Sequence, residues 1–126
     1  MILGIGCDIL DIKRFQKAAT SAFIQRIFTE EECTFCEQLK GSQKWGYLAK
    51  RFAAKEAFSK ACGTGIGKHI GWQDVAILND HQGAPVLKLS PRAKAFIQKH
   101  FKCKKFKSHV SLSDDAQAMA FVILEK

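Results

Sequence analysis

Glu56 is the residue whose setting most invites chemistry. The run Arg51-Phe52-Ala53-Ala54-Lys55-Glu56-Ala57-Phe58-Ser59-Lys60 leads directly into Gly63-Thr64-Gly65-Ile66-Gly67. At 3.6 residues per turn, Leu48, Ala49, Phe52 and Ala53 share a helix face with Glu56. A carboxylate on an apolar stripe is costly unless it is paired, hydrogen-bonded or metal-bound. Lys60 follows one turn later, and Arg51 and Lys55 lie within the preceding turn and a half. One acid, several cations and a glycine-rich exit suit a phosphate ester held with a divalent metal. The alternative is a helical ion pair between Glu56 and Lys60, worth a few tenths of a kcal/mol. The helix alone leaves both readings open.

Asp8 is a second acid, at the end of the short apolar run Ile2-Leu3-Gly4-Ile5-Gly6-Cys7. Magnesium commonly takes one or two carboxylates and shares phosphate oxygens with its substrate. Taken alone, Asp8 is equally a strand-end turn residue. Gly4 and Gly6 weaken a strand and mark a close approach of backbone. The glycine run 63–67 follows a helix, whereas phosphate-cradling Walker and dinucleotide loops precede one. It reads either as a helix cap and turn or as a place where backbone meets a bulky ligand. His109, Ser111 and Ser113 fall on one face of an alternating segment and could line a phosphate or ribose pocket, or simply face water. No nucleophile-elbow motif is present.

The elements that must carry these residues read as follows. A strand over 2–8 precedes a helix from Asp11 to about Ile27, with Ile12, Phe15, Ala19, Phe23 and Ile27 at helical spacing and Arg14 and Arg26 off that stripe. Thr29 and Glu32 form a capping box that opens a helix to about Lys40. The helix carrying Glu56 is capped by Ser42 and ends at Cys62, with Gly63 beyond it. Strands over 72–78 and 85–89 flank the turn Asn79-Asp80-His81-Gln82-Gly83. Ser90-Pro91 opens a helix to about His100. Strands over 106–113 and 117–124 end the chain. This order predicts one α+β domain over 1–126, a mainly antiparallel sheet packed with helices.

Composition narrows the setting. A 47% apolar, 25% charged chain has the balance of a soluble globular fold. The net charge of +8 favours acidic partners: nucleic acid, an anionic membrane, an acidic protein or a phosphate substrate. Lys99, Lys102, Lys104, Lys105 and Lys107, interleaved with Phe101 and Phe106, could contact nucleic acid or form a solvated face. Nucleic-acid binding would leave Asp8, Glu56 and the glycine turn without a role, so nucleic acid is not the expected partner. Five cysteines, odd in number, include a lone Cys33-Thr34-Phe35-Cys36 with no second pair to close a zinc site. They are expected as reduced thiols in a cytoplasmic protein. No secretory leader and no apolar run of about 18 residues is present, so no membrane association is expected.

Three segments together resemble holo-acyl-carrier-protein synthase, the small group of the 4′-phosphopantetheinyl transferases. They are Gly4-Ile5-Gly6-Cys7-Asp8-Ile9-Leu10-Asp11-Ile12-Lys13-Arg14-Phe15, the run from Arg51 to Ile66, and His109-Val110-Ser111-Leu112-Ser113. The resemblance covers essentially the whole chain and implies that family's fold. It implies transfer of the phosphopantetheine arm of coenzyme A to a serine of acyl carrier protein, leaving adenosine 3′,5′-bisphosphate, in fatty acid biosynthesis. It implies Asp8 and Glu56 as ligands of Mg²⁺, Glu56 also as an aid in removing the serine proton, and Lys60 as the group that stabilises the leaving phosphate. Arg51, Gly65 and His109 fall where the family contacts coenzyme A. Arg14 and Arg26 lie on the helix that docks acidic acyl carrier protein in the family. A homotrimer with sites between subunits is implied as well. Two positions depart from the pattern: Asp114 stands where histidine is common, and Cys62 where leucine is usual. The role of Asp114 stays open at the level of sequence. A homologue that keeps only the fold is a third reading, disfavoured by intact Asp8, Glu56 and Lys60.

Overall fold

The computed structural model describes residues Met1–Lys126. The chain opens with strand β1 (Ile2–Asp11) and continues through helices α1 (Ile12–Ala18), α2 (Ser21–Ile27), α3 (Glu30–Cys36) and α4 (Gly41–Ala61). A short 3-10 turn (Trp72–Asp74) leads into the hairpin β2 (Val75–Asn79) and β3 (Pro85–Leu89). Helix α5 (Pro91–His100) and the hairpin β4 (Lys107–Asp114) and β5 (Gln117–Glu125) complete it. Strands β1, β5 and β4 form one antiparallel sheet in that order, and β2 and β3 form a second, two-stranded one. The expected α+β class with antiparallel sheets is what the chain adopts.

Helix α4 lies across the larger sheet. Ala53, Ala54, Ala57, Phe58 and Ala61 pack on Ala120, Val122 and Leu124 of β5, with Val75 and Ile77 of β2 and Ala93 and Ile97 of α5 closing the core. A second cluster of Phe15, Ile27, Phe28, Tyr47 and Leu48 seats α1 and α2 against the first half of α4. Gly4 and Gly6 set the spacing between β1 and α4. A Cβ at Gly4 would fall on the carbonyl oxygen of Ala61, and one at Gly6 on that of Ala57. The two backbones therefore meet with no side chain between them.

Several boundaries differ from the sequence expectation for local reasons. The helix expected over 11–27 is two helices, because Thr20 turns extended and caps a new N-terminus by accepting from the Phe23 N–H at 3.1 Å. Arg14 and Arg26 thus sit on α1 and α2, not on one helix. The Thr29–Glu32 capping box forms as expected, but α3 ends at Cys36. Helix α4 starts one residue before Ser42, with Lys40 as an N-cap that makes no side-chain bond. Gly63 follows the helix in the left-handed region (φ +79°), as expected for the residue beyond a cap. Residues 72–74 wind as a 3-10 turn because the Asp74 carboxylate accepts the Gly71 N–H at 2.7 Å.

Candidate active site

The tight β1–α4 contact brings Asp8 beside the exposed flank of α4. Lys60 donates from Nζ to Asp8 Oδ1 at 3.1 Å and to the Cys7 carbonyl at 3.0 Å. The helical Glu56–Lys60 pair that competed with the catalytic reading does not form. Glu56 instead has a half-buried carboxylate with no ion-pair or hydrogen-bond partner. Burial raises its pKa above the usual value, the Asp8 charge raises it further, and Lys60 offsets part of the rise. A half-buried Glu56 carboxylate beside a second acid and one lysine makes a site that a cation would relieve. The structure gathers no group of three or more histidine, cysteine, aspartate or glutamate side chains. The Cys33-x-x-Cys36 thiols are free.

The other two cations of the helix do not join this group. At about 100° per residue, Lys60 lies near Glu56, while Lys55 and Arg51 point away from it. Lys55 is fully buried, 2.7 Å from Glu32 Oε1, and donates to the carbonyls of Trp72 at 2.9 Å and Val75 at 2.6 Å. Burial lowers its pKa, and Glu32 opposes that shift. Arg51 is buried over the Tyr47 ring, with Cζ 3.9 Å from the ring centroid. It donates to the Ile77 carbonyl at 3.3 Å and Asn79 Oδ1 at 3.0 Å. Burial pushes the Tyr47 hydroxyl up to about 12. Arg51 and Tyr47 line a cavity of about 560 Å³ with Lys50, Asn79, Ser111 and Asp114. That cavity opens at the β4 edge of the sheet, whereas Asp8 belongs to the β1 edge.

His109 faces a third direction. Its Nε2 is 2.8 Å from Glu125 Oε1, a contact that lowers the glutamate pKa. With Ser111 and Ser113 it lies on the sheet face away from α4, as the alternation predicted. Sheet register sets Ile5, Ile123 and His109 in one row, Cys7, Phe121 and Ser111 in the next, and Ile9, Met119 and Ser113 in a third. Ile5, Ile9, Met119 and Phe121 are all exposed there. Gly65 sits in the glycine turn at φ +67°, its N–H bonded to the Ser59 carbonyl at 3.1 Å. Arg14 and Arg26 are exposed. Asp114 pairs with Lys50 at 3.1 Å, a contact absent from the sequence reading. The burial of Lys55 was open to detection, since it aligns with Leu48 two turns earlier. Its partner Glu32 looked like a purely local cap.

Residues 4–122 match the profile of the 4′-phosphopantetheinyl transferase superfamily. The chain belongs to this family. It is 45% identical to the holo-[acyl-carrier-protein] synthase of Vibrio atlanticus over 129 residues, covering 98% of each chain. It is 38% identical to that of Pelagibacter ubique over 127 residues, covering 99% of this chain and 98% of the relative. Among solved structures it resembles the Bacillus anthracis holo-(acyl-carrier-protein) synthase in complex with CoA (3′,5′-ADP), with TM-score 0.85 and 40% identity over 100% of this chain and 98% of the other. The Neisseria meningitidis holo-[acyl-carrier-protein] synthase superposes with TM-score 0.86 and 38% identity over 100% of both chains.

Proposed function

We propose that this chain, as one domain over 1–126, is a holo-acyl-carrier-protein synthase. It moves the 4′-phosphopantetheine group of coenzyme A to a serine of apo-acyl carrier protein and leaves adenosine 3′,5′-bisphosphate. The observation that carries this reading is the Asp8–Glu56–Lys60 group, in a family member whose relatives of near-equal length are named for that activity. Asp8 and Glu56 would hold Mg²⁺. The Asp8 charge that disfavours an ionised Glu56 fits a cation between them, and two carboxylates leave room for water and phosphate oxygens. When bound, the metal supplies charge neutralisation at the pyrophosphate.

The chain's own groups do the rest. The serine oxygen forms a bond to the phosphorus that carries the pantetheine arm, and the bond from that phosphorus to the adenosine phosphate oxygen breaks. Glu56 accepts the serine proton, the role of a general base. Lys60 is exposed enough to turn from Asp8 toward the charge that collects on the leaving phosphate. Arg51, Gly65 and His109 hold coenzyme A. Exposed Arg14 and Arg26 meet the acidic carrier protein, and the net charge of +8 speeds that encounter.

The site is shared between copies of the chain in a homotrimer. Asp8 lies on the β1 edge and the Arg51 cavity at the β4 edge, so one ligand spanning both calls for two chains. The exposed apolar rows on the outer sheet face supply the surface for association. No helix is long and apolar enough to cross a membrane. Five free thiols suit the cytoplasm. Apo-acyl carrier protein incubated with the protein, coenzyme A and Mg²⁺ should gain the mass of one phosphopantetheine group. No gain with any of several carrier proteins overturns the reading.

A further inference from the structure

The Lys50–Asp114 pair has no part in the chemistry above, yet it sits at the mouth of the Arg51 cavity. Asp114 ends β4 and reaches over α4 at Gly46. A Cβ at Gly46 would lie only 2.7 Å from Asp114 Oδ2, so the carboxylate occupies the space a larger residue would fill. Its other oxygen holds Lys50 Nζ at 3.1 Å, one helical turn further on. Both side chains remain partly open to solvent, at 26% for Lys50 and 37% for Asp114. The two cations of the cavity are thus in different states. Arg51 is buried and committed to the Tyr47 ring, Ile77 and Asn79. Lys50 is loosely held by one carboxylate that water can replace.

We infer that Asp114 is an internal competitor for Lys50, which sets how tightly the cavity binds a phosphate monoester. This rests on the reading that Arg51 holds coenzyme A in a shared site, and it adds that the ribose phosphate of that ligand enters the cavity Arg51 lines. The free phosphate on the coenzyme A ribose is such a monoester, with a charge near −2 and three acceptor oxygens. It outcompetes a single carboxylate for a flexible ammonium, and Lys50 exchanges one anion for the other. Asp114 thereby weakens coenzyme A and product binding in proportion to the pair it forms with Lys50. A ligand without that phosphate gives Lys50 nothing to turn to and is indifferent to Asp114. Asp114 is in this sense a specificity-setting residue that acts through Lys50.

Calorimetric titration of the full-length protein with coenzyme A and with 3′-dephospho-coenzyme A, without carrier protein, separates the possibilities. Asp114→Asn and Asp114→Ser should each bind coenzyme A about two- to fivefold tighter, the range open to an exposed ion pair. Both should bind the dephospho compound as wild type does. Lys50→Met should cost little in wild type and should erase the gain in Asp114→Asn. A merely structural Asp114 would change thermal stability and shift both ligands alike, which overturns the inference. Equal affinity of wild type and Asp114→Asn for coenzyme A overturns it too and leaves the shared-site reading standing. Wild type that binds the two ligands equally, or neither, overturns this inference together with the cavity assignment.

Discussion

Glu56 is held where its own charge is disfavoured, and this gives it a signature apart from activity. Its folded pKa lies above the usual 4.5 because burial and Asp8 outweigh Lys60. For a carboxyl raised on folding, the stabilising contribution is complete below the unfolded pKa and is lost as pH rises through the folded value. The neutral isostere Glu56→Gln escapes that loss. It should raise Tm by about 2–5 °C at neutral pH. The advantage should shrink toward zero at and below pH 4.5. The same variant should lose at least about a hundredfold in transfer rate, the lower range for a removed general base. Thermal melts of both proteins across pH 4–8 check this, and a Tm gap independent of pH would sink it. Added Mg²⁺ should raise the Tm of wild type by linkage and leave Asp8→Asn nearly unmoved. The sequence disclosed Glu56 as an acid on an apolar stripe, and it disclosed Lys60. It could not place Arg51 and Lys55 around the helix, because closeness along a helix is not closeness around it. Nor could it show that Lys60 would choose Asp8 over Glu56, a preference fixed by the distance between two backbones.

That distance is a property of elements. Gly6→Ala places a methyl on the Ala57 carbonyl and must push β1 away from α4. A cost of about 1–3 kcal/mol is expected, as for other overpacked contacts. Asp8 should withdraw from Glu56 and Lys60, so kcat should fall even where the variant is folded. Denaturant unfolding and steady-state kinetics on one preparation read both effects. The other end of the clamp is Lys55. Its Nζ ties α4 to Glu32 of α3 and to the backbone at Trp72 and Val75, while Glu32 Oε2 accepts the Ile77 N–H at 2.9 Å. Lys55→Met leaves Glu32 buried and unpaired, which should cost about 3–5 kcal/mol. Adding Glu32→Gln should recover part of that, because it removes the buried charge, although its single carbonyl oxygen can accept from only one of the Thr29 and Ile77 N–H groups. No recovery in the double variant would show that the charge pair is not the source of the cost. Elements whose signals are local were legible in advance: the capping box, the β2–β3 hairpin, the Ser90-Pro91 start and the alternation of β4. The break at Thr20 was not, because the apolar stripe runs unbroken through both helices and only the cap marks it. The 3-10 turn before β2 was also hidden, since it depends on how one Asp74 carboxylate is shared among Gly71, Ser90 and Arg92.

At the scale of the molecule, two groups of side chains face apart. Asp8, Glu56 and Lys60 lie at the β1 edge; Arg51, Tyr47 and the cavity lie at the β4 edge, with the body of the sheet between them. If one coenzyme A must touch both, the contacts join unlike edges of neighbouring copies, head to tail, and such contacts close into a ring where the rotation between copies allows it. Two crippled variants then complement each other. Asp8→Asn keeps a good β4 edge and Arg51→Gln a good β1 edge, and each alone should be nearly inactive. Co-expressed in equal amounts and purified as one assembly, they mix at random. A working junction needs the intact β1 edge from one variant, with a chance of one half, and the intact β4 edge from the other, again one half. About a quarter of wild-type activity should therefore return in a closed ring of exchangeable subunits. A site built within a single chain allows no recovery, because every chain in the mixture is missing one half. Charging the apolar rows offers a control, since Phe121→Asp in both variants should abolish the recovery and the assembly together. Sedimentation velocity on the same samples reads the assembly. No recovery in a mixture that sediments as the intact assembly would show that the two edges do not act across subunits.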